Sequence, residues 1–155
     1  MSIDSVRVFL AARAPEIAII ELETSTATVT QAAGGHGVNP EQIAKTLSLK
    51  VGDRNILVVT RGDARLDNRK VKSAFGSKAR MLSAEDVVTV TGHPVGGVCP
   101  FGLATPLPVF CDISLKARGE VLPAAGSANS AVRINPLRLA ELVGPEWVDV
   151  CQNIP

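Results

Sequence analysis

Two features of this chain have residue types and spacing suited to chemistry. The first is the loop Thr91-Gly-His-Pro-Val-Gly-Gly-Val-Cys-Pro-Phe-Gly102, flanked by apolar segments. A run so rich in glycine and proline presents backbone N–H groups, and Gly96-Gly97 leaves no side chain to block a ligand. It is a candidate cradle for a carbonyl, carboxylate or phosphate oxygen. The second is Lys45, in Gln42-Ile-Ala-Lys-Thr-Leu47. It lies among apolar neighbours and reads either as a lysine whose stem packs while its head stays in solvent, or as a charge placed at a cleft mouth to meet an anion. The apolar setting of the loop implies that Val95, Val98 and Phe101 are buried while the backbone turns sharply. Its N–H groups then need partners or a ligand.

Other residues carry weaker signals. His93 precedes Pro94, so its backbone is biased to the extended region. With an ordinary pKa near neutral it is a candidate general base, against the plainer reading of a hydrogen-bonded loop histidine. His36, in Gly34-Gly-His-Gly37, reads as a turn residue. Gly126-Ser-Ala-Asn-Ser130 is a small-residue turn, either a hairpin loop or the shaped wall of a small pocket. There is no G-x-S-x-G elbow, no phosphate-binding G-x-x-x-x-G-K-[ST] loop, no G-x-G-x-x-G and no H-E-x-x-H. A hydrolase built on these residues works by positioning substrate and stabilising an oxyanion, not by a strong nucleophile.

These groups need a scaffold. The 155 residues fit one domain over the whole chain, 1–155, and 46% hydrophobic content argues for a packed core. Sixteen basic against 15 acidic residues give a net charge of +1, which excludes nucleic-acid binding by bulk charge. Only 3% of residues are aromatic, so an aromatic base-stacking platform is excluded too. Any phosphate contact is local, and Arg61, Arg65, Arg69, Lys70, Lys72, Lys78 and Arg80 are the candidate track. Cys99, Cys111 and Cys151 are widely spaced, with no metal-ligand pattern, and read as reduced cytosolic thiols. No apolar run suits a signal peptide or a membrane span, so the expected setting is cytoplasmic, with no metal or cofactor required.

The periodicity predicts helices over 3–13, 26–33 (stopped by Gly34-Gly35) and 67–75 (stopped by Gly76). It also predicts a helix opened by Asn39-Pro40 that carries Ile43, Lys45 and Leu47, with the chain extended by 47–51. A helix starts at Ser83 and ends early because residues 87–90 are β-branched. A last helix opens at Asn135-Pro136 and ends by Gly144. Strands are expected at 17–22, 55–60, 107–113, 121–125, 131–134 and 147–151, with a Gly52-Asp53 hairpin turn. Helices cluster in the first half and strands in the second. The fold class is α+β, a mixed sheet, curled, with flanking helices.

Gln42-Ile-Ala-Lys-Thr-Leu47, Asp63-Ala-Arg-Leu-Asp67, Gly92-His-Pro-Val-Gly-Gly-Val-Cys-Pro-Phe-Gly102 and Gly126-Ser-Ala-Asn129 occur in that order. Together they resemble the YbaK/EbsC family, which includes the editing domain of bacterial prolyl-tRNA synthetases and its free-standing relatives. The resemblance runs over nearly the whole chain, residues 17–151. It implies an α+β domain with a barrel-like mixed sheet and a hydrolase that deacylates mischarged tRNA in trans, chiefly tRNA-Pro carrying alanine or cysteine. The partners it implies are the acceptor end of aminoacyl-tRNA and, as a candidate, prolyl-tRNA synthetase.

The family lysine matches Lys45, and the family glycine loop matches 96–100. Gly96, Gly97 and Val98 are then the oxyanion donors. Thr24, Thr46, His93, Cys99, Pro100, Gly126, Ser127, Ala128 and Asn129 become the substrate-binding set. The attacking group stays open between water and the neighbouring ribose hydroxyl. Two departures bear on the pocket: Cys99 stands where many relatives carry serine, and Gly34-Gly-His-Gly37 is richer in glycine than the family pattern. The alternatives are a non-catalytic module of the same fold that binds aminoacyl-tRNA or a nucleotide, and a hydrolase built on the Cys99 thiol.

Overall fold

The centre of the molecule is the hairpin of β2 (Ile43–Val51) and β3 (Arg54–Arg61), joined by a turn whose Gly52 has φ 60°. The two strands pair antiparallel along their length, from Ala44 opposite Arg61 to Val51 opposite Arg54. Ile56, Leu57, Val58 and Val59 of β3 are completely buried, the mark of a strand covered on both faces. Leu57 and Val59 face one core, and Ile56 and Val58 face another. The computed structural model from which this architecture is read describes residues 2–117 and 119–153.

The sheet grows outward from the hairpin. Beyond β3, β5 (Val109–Asp112) and then β8 (Trp147–Val148) add in parallel. On the other edge of β2, β6 (Leu122–Pro123) pairs in parallel with Ile43 and Ala44, while β4 (Ala79–Met81) pairs antiparallel with Leu49 to Val51. The ladder on that edge is therefore interrupted between Ala44 and Leu49. β1 (Ile19–Glu21) pairs with β7 (Ser130–Val132), and single bridges from Val121 to Ile134 and Ala124 to Ala131 tie β7 to β6. The mixed sheet curls through these bridges without closing into a barrel.

Among the described residues, five α-helices cover it. α1 (Ser2–Arg13) sends Val6 and Leu10 into the larger core, beside Leu139 and Ala140 of α5 (Pro136–Val143). α3 (Asn68–Phe75) seals the second core with Val71, its N-terminus capped by Asp67. α2 (Val29–His36) lies over a small third cluster of Ala32, Ala33, Ile43, Leu122 and Ala131. α4 (Ala84–Thr91) is capped by Ser83 and leads into the glycine loop through Gly92 at φ 78°.

The α+β class with a mixed, curled sheet is as expected, but four local expectations are corrected. Asn39-Pro40 opens only a single 3-10 turn, Pro40–Gln42, and Ile43, Lys45 and Leu47 lie on β2. Pairing with β3 there outweighs the local helix signal. α2 runs through Gly34-Gly35 to His36 and ends at Gly37, whose φ of 68° makes it the left-handed cap. α4 continues through Val87–Val90, because propensity is a weak prior against a good cap at each end. The longest strands lie in the first half of the chain, not the second.

Asp112, wholly buried, ties the sheet to the C-terminal segment. Its carboxylate accepts from Val150 N (2.8 Å) and Ser114 N (2.9 Å). Hydrogen bonds to a buried charge are the stronger kind, and losing them orphans two N–H groups. Asp112→Ala is therefore expected to cost about 3 kcal/mol, read as a lower urea midpoint; an unchanged midpoint would show that the segment is held elsewhere.

Candidate functional site

A cavity of about 190 Å³ lies against the interrupted edge of β2. Its walls come from Thr26 to Val29 ahead of α2, Ala32 and His36 of α2, and Ile43 to Thr46 of β2. Val95, Gly96 and Val98 of the glycine loop and Leu122, Ala124, Ser130 and Ala131 around β6 and β7 complete them. Pockets for whole cofactors or drug-sized ligands run from roughly 300 Å³ upward. This one suits a fragment of a few heavy atoms.

Three pieces of irregular backbone are pressed together to make it. A Cβ on Gly97 would sit 2.6 Å from Ser127 N and 2.8 Å from Gly126 C, so no side chain fits there. A Cβ on Gly96 would lie 2.8 Å from the Ala27 Cβ. Gly126 N donates to Gly97 O (3.0 Å), Thr26 N to Ala128 O (2.5 Å) and Leu22 N to Asn129 O (2.8 Å). Asn129 also gives Nδ2 to Leu22 O at 2.8 Å, and Ser127 Oγ bonds Asn129 and Ser130. Gly126, Ser127, Ala128 and Asn129 thus buttress the glycine loop from behind, and the adjacent Ser130 and Ala131 reach the cavity.

Lys45 is half-buried, and its Nζ donates to the Ala64 carbonyl. Burial pushes its pKa below the usual lysine value, while Asp63 nearby works against that shift. Asp63 itself is held low chiefly by its hydrogen bonds from Arg61, whose Nε lies 2.6 Å from Oδ1. Arg61 is therefore a buried, paired residue and not part of an open basic face. Lys70 is likewise engaged, with Asp149, the Cys151 carbonyl and Asn153. Arg69, Lys72 and Lys78 do gather, around a separate basic hollow between α3 and β4.

The structure divides the expected site residues. Lys45, Thr46, Gly96 and Val98 line the cavity; Thr24 is exposed outside it, and the adjacent Thr26 takes that place. Gly97 N donates to Pro94 O (2.8 Å), so its N–H is spent inside the turn. Val95, expected to be buried, is 55% exposed at the cavity mouth. His93, Cys99 and Pro100 are buried behind the loop. The His93 ring bonds Phe101 O through Nε2 (2.7 Å) and Ser2 Oγ through Nδ1 (2.8 Å). A carbonyl can only accept, so Nε2 carries a proton toward Phe101 O, while the Ser2 hydroxyl lies between Nδ1 and the Gly126 carbonyl. Burial lowers the His93 pKa, against the opposing pull of the Phe101 carbonyl.

Cys99 Sγ lies 3.6 Å from His93 Nε2, a neighbour that the sequence spacing did not reveal. The pair is sealed, with both residues at 0% exposure, and burial pushes the Cys99 thiol up to about 12. Of the segment 24–33, which the resemblance implies is pocket-forming, Thr26, Ala27, Thr28, Val29 and Ala32 line the cavity; sequence reasoning missed His36, Ile43, Ala44 and Leu122. A signal was present, since Val29, Ala32 and His36 follow the i, i+3, i+7 spacing of one helix face. Among the described residues no group of three or more His, Cys, Asp or Glu could hold a metal ion, and no helix is long and apolar enough to cross a membrane.

Cys111 and Cys151 are buried as well, and burial pushes both thiols up to about 12. At pH 8 the native protein is expected to give no rapid reaction of any cysteine with a disulfide reagent such as dithionitrobenzoate, with full reaction after unfolding in guanidinium. Fast labelling of Cys99 in the native state would restore the thiol-hydrolase reading.

Comparison with known proteins agrees with this geometry. The family model described as "Aminoacyl-tRNA editing domain" matches residues 23–142. YwhH of Bacillus subtilis is 48% identical over 155 residues, covering 99% of each chain. The proline–tRNA ligase of Bacillus licheniformis is 34% identical over 106 residues, which are 68% of this chain and 18% of the ligase. This chain therefore matches only a small part of that enzyme. A crystal structure provisionally described as a trans-editing enzyme for prolyl tRNA synthetase superposes with TM-score 0.90 at 32% identity, covering 98% of both chains. The chain belongs to the aminoacyl-tRNA editing domain family.

Proposed function

We propose that this protein is an aminoacyl-tRNA deacylase that removes a small, wrongly attached amino acid, with tRNA-Pro as the first candidate carrier. The observation that carries the reading is the small cavity between Lys45 and the glycine loop. It suits an aminoacyl group, with the tRNA left outside. Walls made of Ala27, Val29, Ala32, Ile43, Ala44 and Leu122 are apolar, and in this scheme they exclude larger side chains by steric clash, as a second sieve does.

The chemistry needs few protein groups. Water attacks the ester carbonyl, the carbon becomes tetrahedral, and negative charge gathers on its oxygen. The C–O bond to the ribose then breaks, the ribose oxygen takes up a proton, and free amino acid leaves. The N–H groups of Gly96 and Val98 are the candidate oxyanion donors, each worth about 3 kcal/mol when aimed at the developing charge. Gly97 shapes the loop in this scheme. Lys45 holds the substrate at the rim, where its ammonium has donors beyond the one given to Ala64. The basic hollow around Arg69, Lys72 and Lys78 is a candidate contact for tRNA phosphates. A non-catalytic module of the same fold is the other reading, separated from this one by turnover alone.

The test is ester loss from tRNA-Pro charged separately with alanine, cysteine, serine, threonine and proline. One or more small wrong residues should be released while prolyl-tRNA persists. Lys45→Met keeps the apolar stem and removes the charge. It is expected to lower kcat/KM by about 10²-fold or more with an unchanged melting temperature; full activity in that variant would remove Lys45 from the mechanism. Absence of hydrolysis across the panel would favour the binding-module reading.

A further inference from the structure

A lysine stem is long and flexible, so its ammonium keeps one direction only where something ties it. Side chains alternate along β2, which puts Lys45 on the sheet face of Leu47, Leu49 and Val51, the face that Val71 of α3 and Val150 cover. There its Nζ is tied to the Ala64 carbonyl, in the connection from β3 to α3. That connection is anchored to the sheet on one side, where Gly62 N donates to Ile43 O (2.7 Å) and Ala64 N to Arg61 O (3.0 Å). On its other side it pairs with the C-terminal segment. Gln152 N donates to Arg65 O and Asp67 N to Val150 O, both at 2.8 Å, around a bridge between Leu66 and Cys151. The segment is itself gripped at two points. Asp112 accepts from Val150 N, and Lys70 Nζ donates to Cys151 O (2.8 Å), Asp149 Oδ1 (2.9 Å) and Asn153 Oδ1 (3.1 Å).

We propose that residues 149–152 are a positioning strap for Lys45: gripped by Lys70 and Asp112, they fix the Ala64 carbonyl, and the carbonyl fixes the direction of the Lys45 ammonium. The strap's service to catalysis rests on the deacylase reading above, in which the substrate meets that ammonium at one place. Lys70, a candidate phosphate contact by its residue type, becomes a positioning residue that touches no substrate and acts through the segment it grips. The groups that face Lys45 are Cys151 of the strap and Asp63 and Arg65 of the connection. Burial outweighs them and holds the Lys45 pKa below the ordinary lysine value. A loosened strap lets water reach the ammonium, so the Lys45 pKa rises toward that value. A loss of overall stability that leaves the folded site unchanged moves no such titration.

Two variants loosen the strap at different points. Lys70→Met keeps the apolar stem and removes the grip on the Cys151 carbonyl. Gln152→Pro removes the N–H that holds Arg65 O, and Gln152→Ala keeps that N–H as its control. NMR of isotope-labelled lysine Nζ groups reads the titration directly, with the Lys45 signal identified by its loss in Lys45→Met. In the wild type and in Gln152→Ala, Lys45 should titrate below the exposed lysines. In Lys70→Met and Gln152→Pro it should move up toward them, and kcat/KM for aminoacyl-tRNA should fall by about 10-fold or more, with the fold intact by circular dichroism. Should Gln152→Pro fail to fold, Lys70→Met decides alone. An unmoved Lys45 titration in Lys70→Met would overturn the strap, whatever the activity. A moved titration with full deacylation would overturn its service to the site. If the wild-type protein hydrolyses no ester, the deacylase reading fails, and the titration still decides whether the strap holds Lys45.

Discussion

Backbone meets backbone where the glycine loop crosses the turn at residues 126–129, and the rest of the site follows from that contact. The approach leaves no room for a Cβ at Gly97, and a Cβ at Gly96 would be crowded by Ala27. These two positions specify glycine by space and not by torsion, since neither has a positive φ. The contact brings the segments 26–29, 95–98 and 122–131 around one cavity. Any larger residue at the crossing would push these walls apart and change the volume of the cavity.

A loop pressed so tightly must hide polar backbone, and the chain provides for it. Thr91 Oγ1 accepts from His93 N, Ser5 Oγ donates to Gly102 O, and the His93 ring holds the Phe101 carbonyl. Of these, His93 is the one the sequence offers as a candidate general base, and its burial makes it a fastening of the loop. The cavity side of the same loop carries almost no titratable chemistry. A site that works by positioning needs little more than this: a rigid shape, a few oriented N–H groups and a charge at the rim.

What the sequence discloses and what it hides have separate physical causes. Caps are local, so Asp67, Ser83 and Asn135 announce the helices that they open, and the Gly52-Asp53 turn announces the hairpin. Lys45 and the glycine loop were visible because their residue types are unusual in apolar surroundings. The placement of Lys45 on a strand was hidden, since pairing of β2 with β3 is non-local and overrode the Asn39-Pro40 helix signal. The His93–Cys99 contact was hidden because it depends on how the loop folds back on itself. His36 was passed over as a turn residue because two glycines precede it. A helix that runs through those glycines turns the same side chain toward the cavity.

The order in which the sheet can assemble has a consequence of its own. The β2–β3 hairpin closes a minimal loop, whereas the parallel pairing of β3 with β5 joins residues as distant as Val59 and Cys111. Closing long loops costs more entropy and delays non-local pairing. The cavity draws on residues from Thr26 to Ala131, so a nascent chain can hold its central hairpin well before it has any pocket. The walls at 122–131 rest on two-residue and three-residue strands and single bridges, so they are held by Leu122, Ala125 and Ala131 buried in the cores and not by a long ladder. On the deacylase reading, discrimination between amino acids is thus borne by side-chain packing as much as by the sheet beneath it.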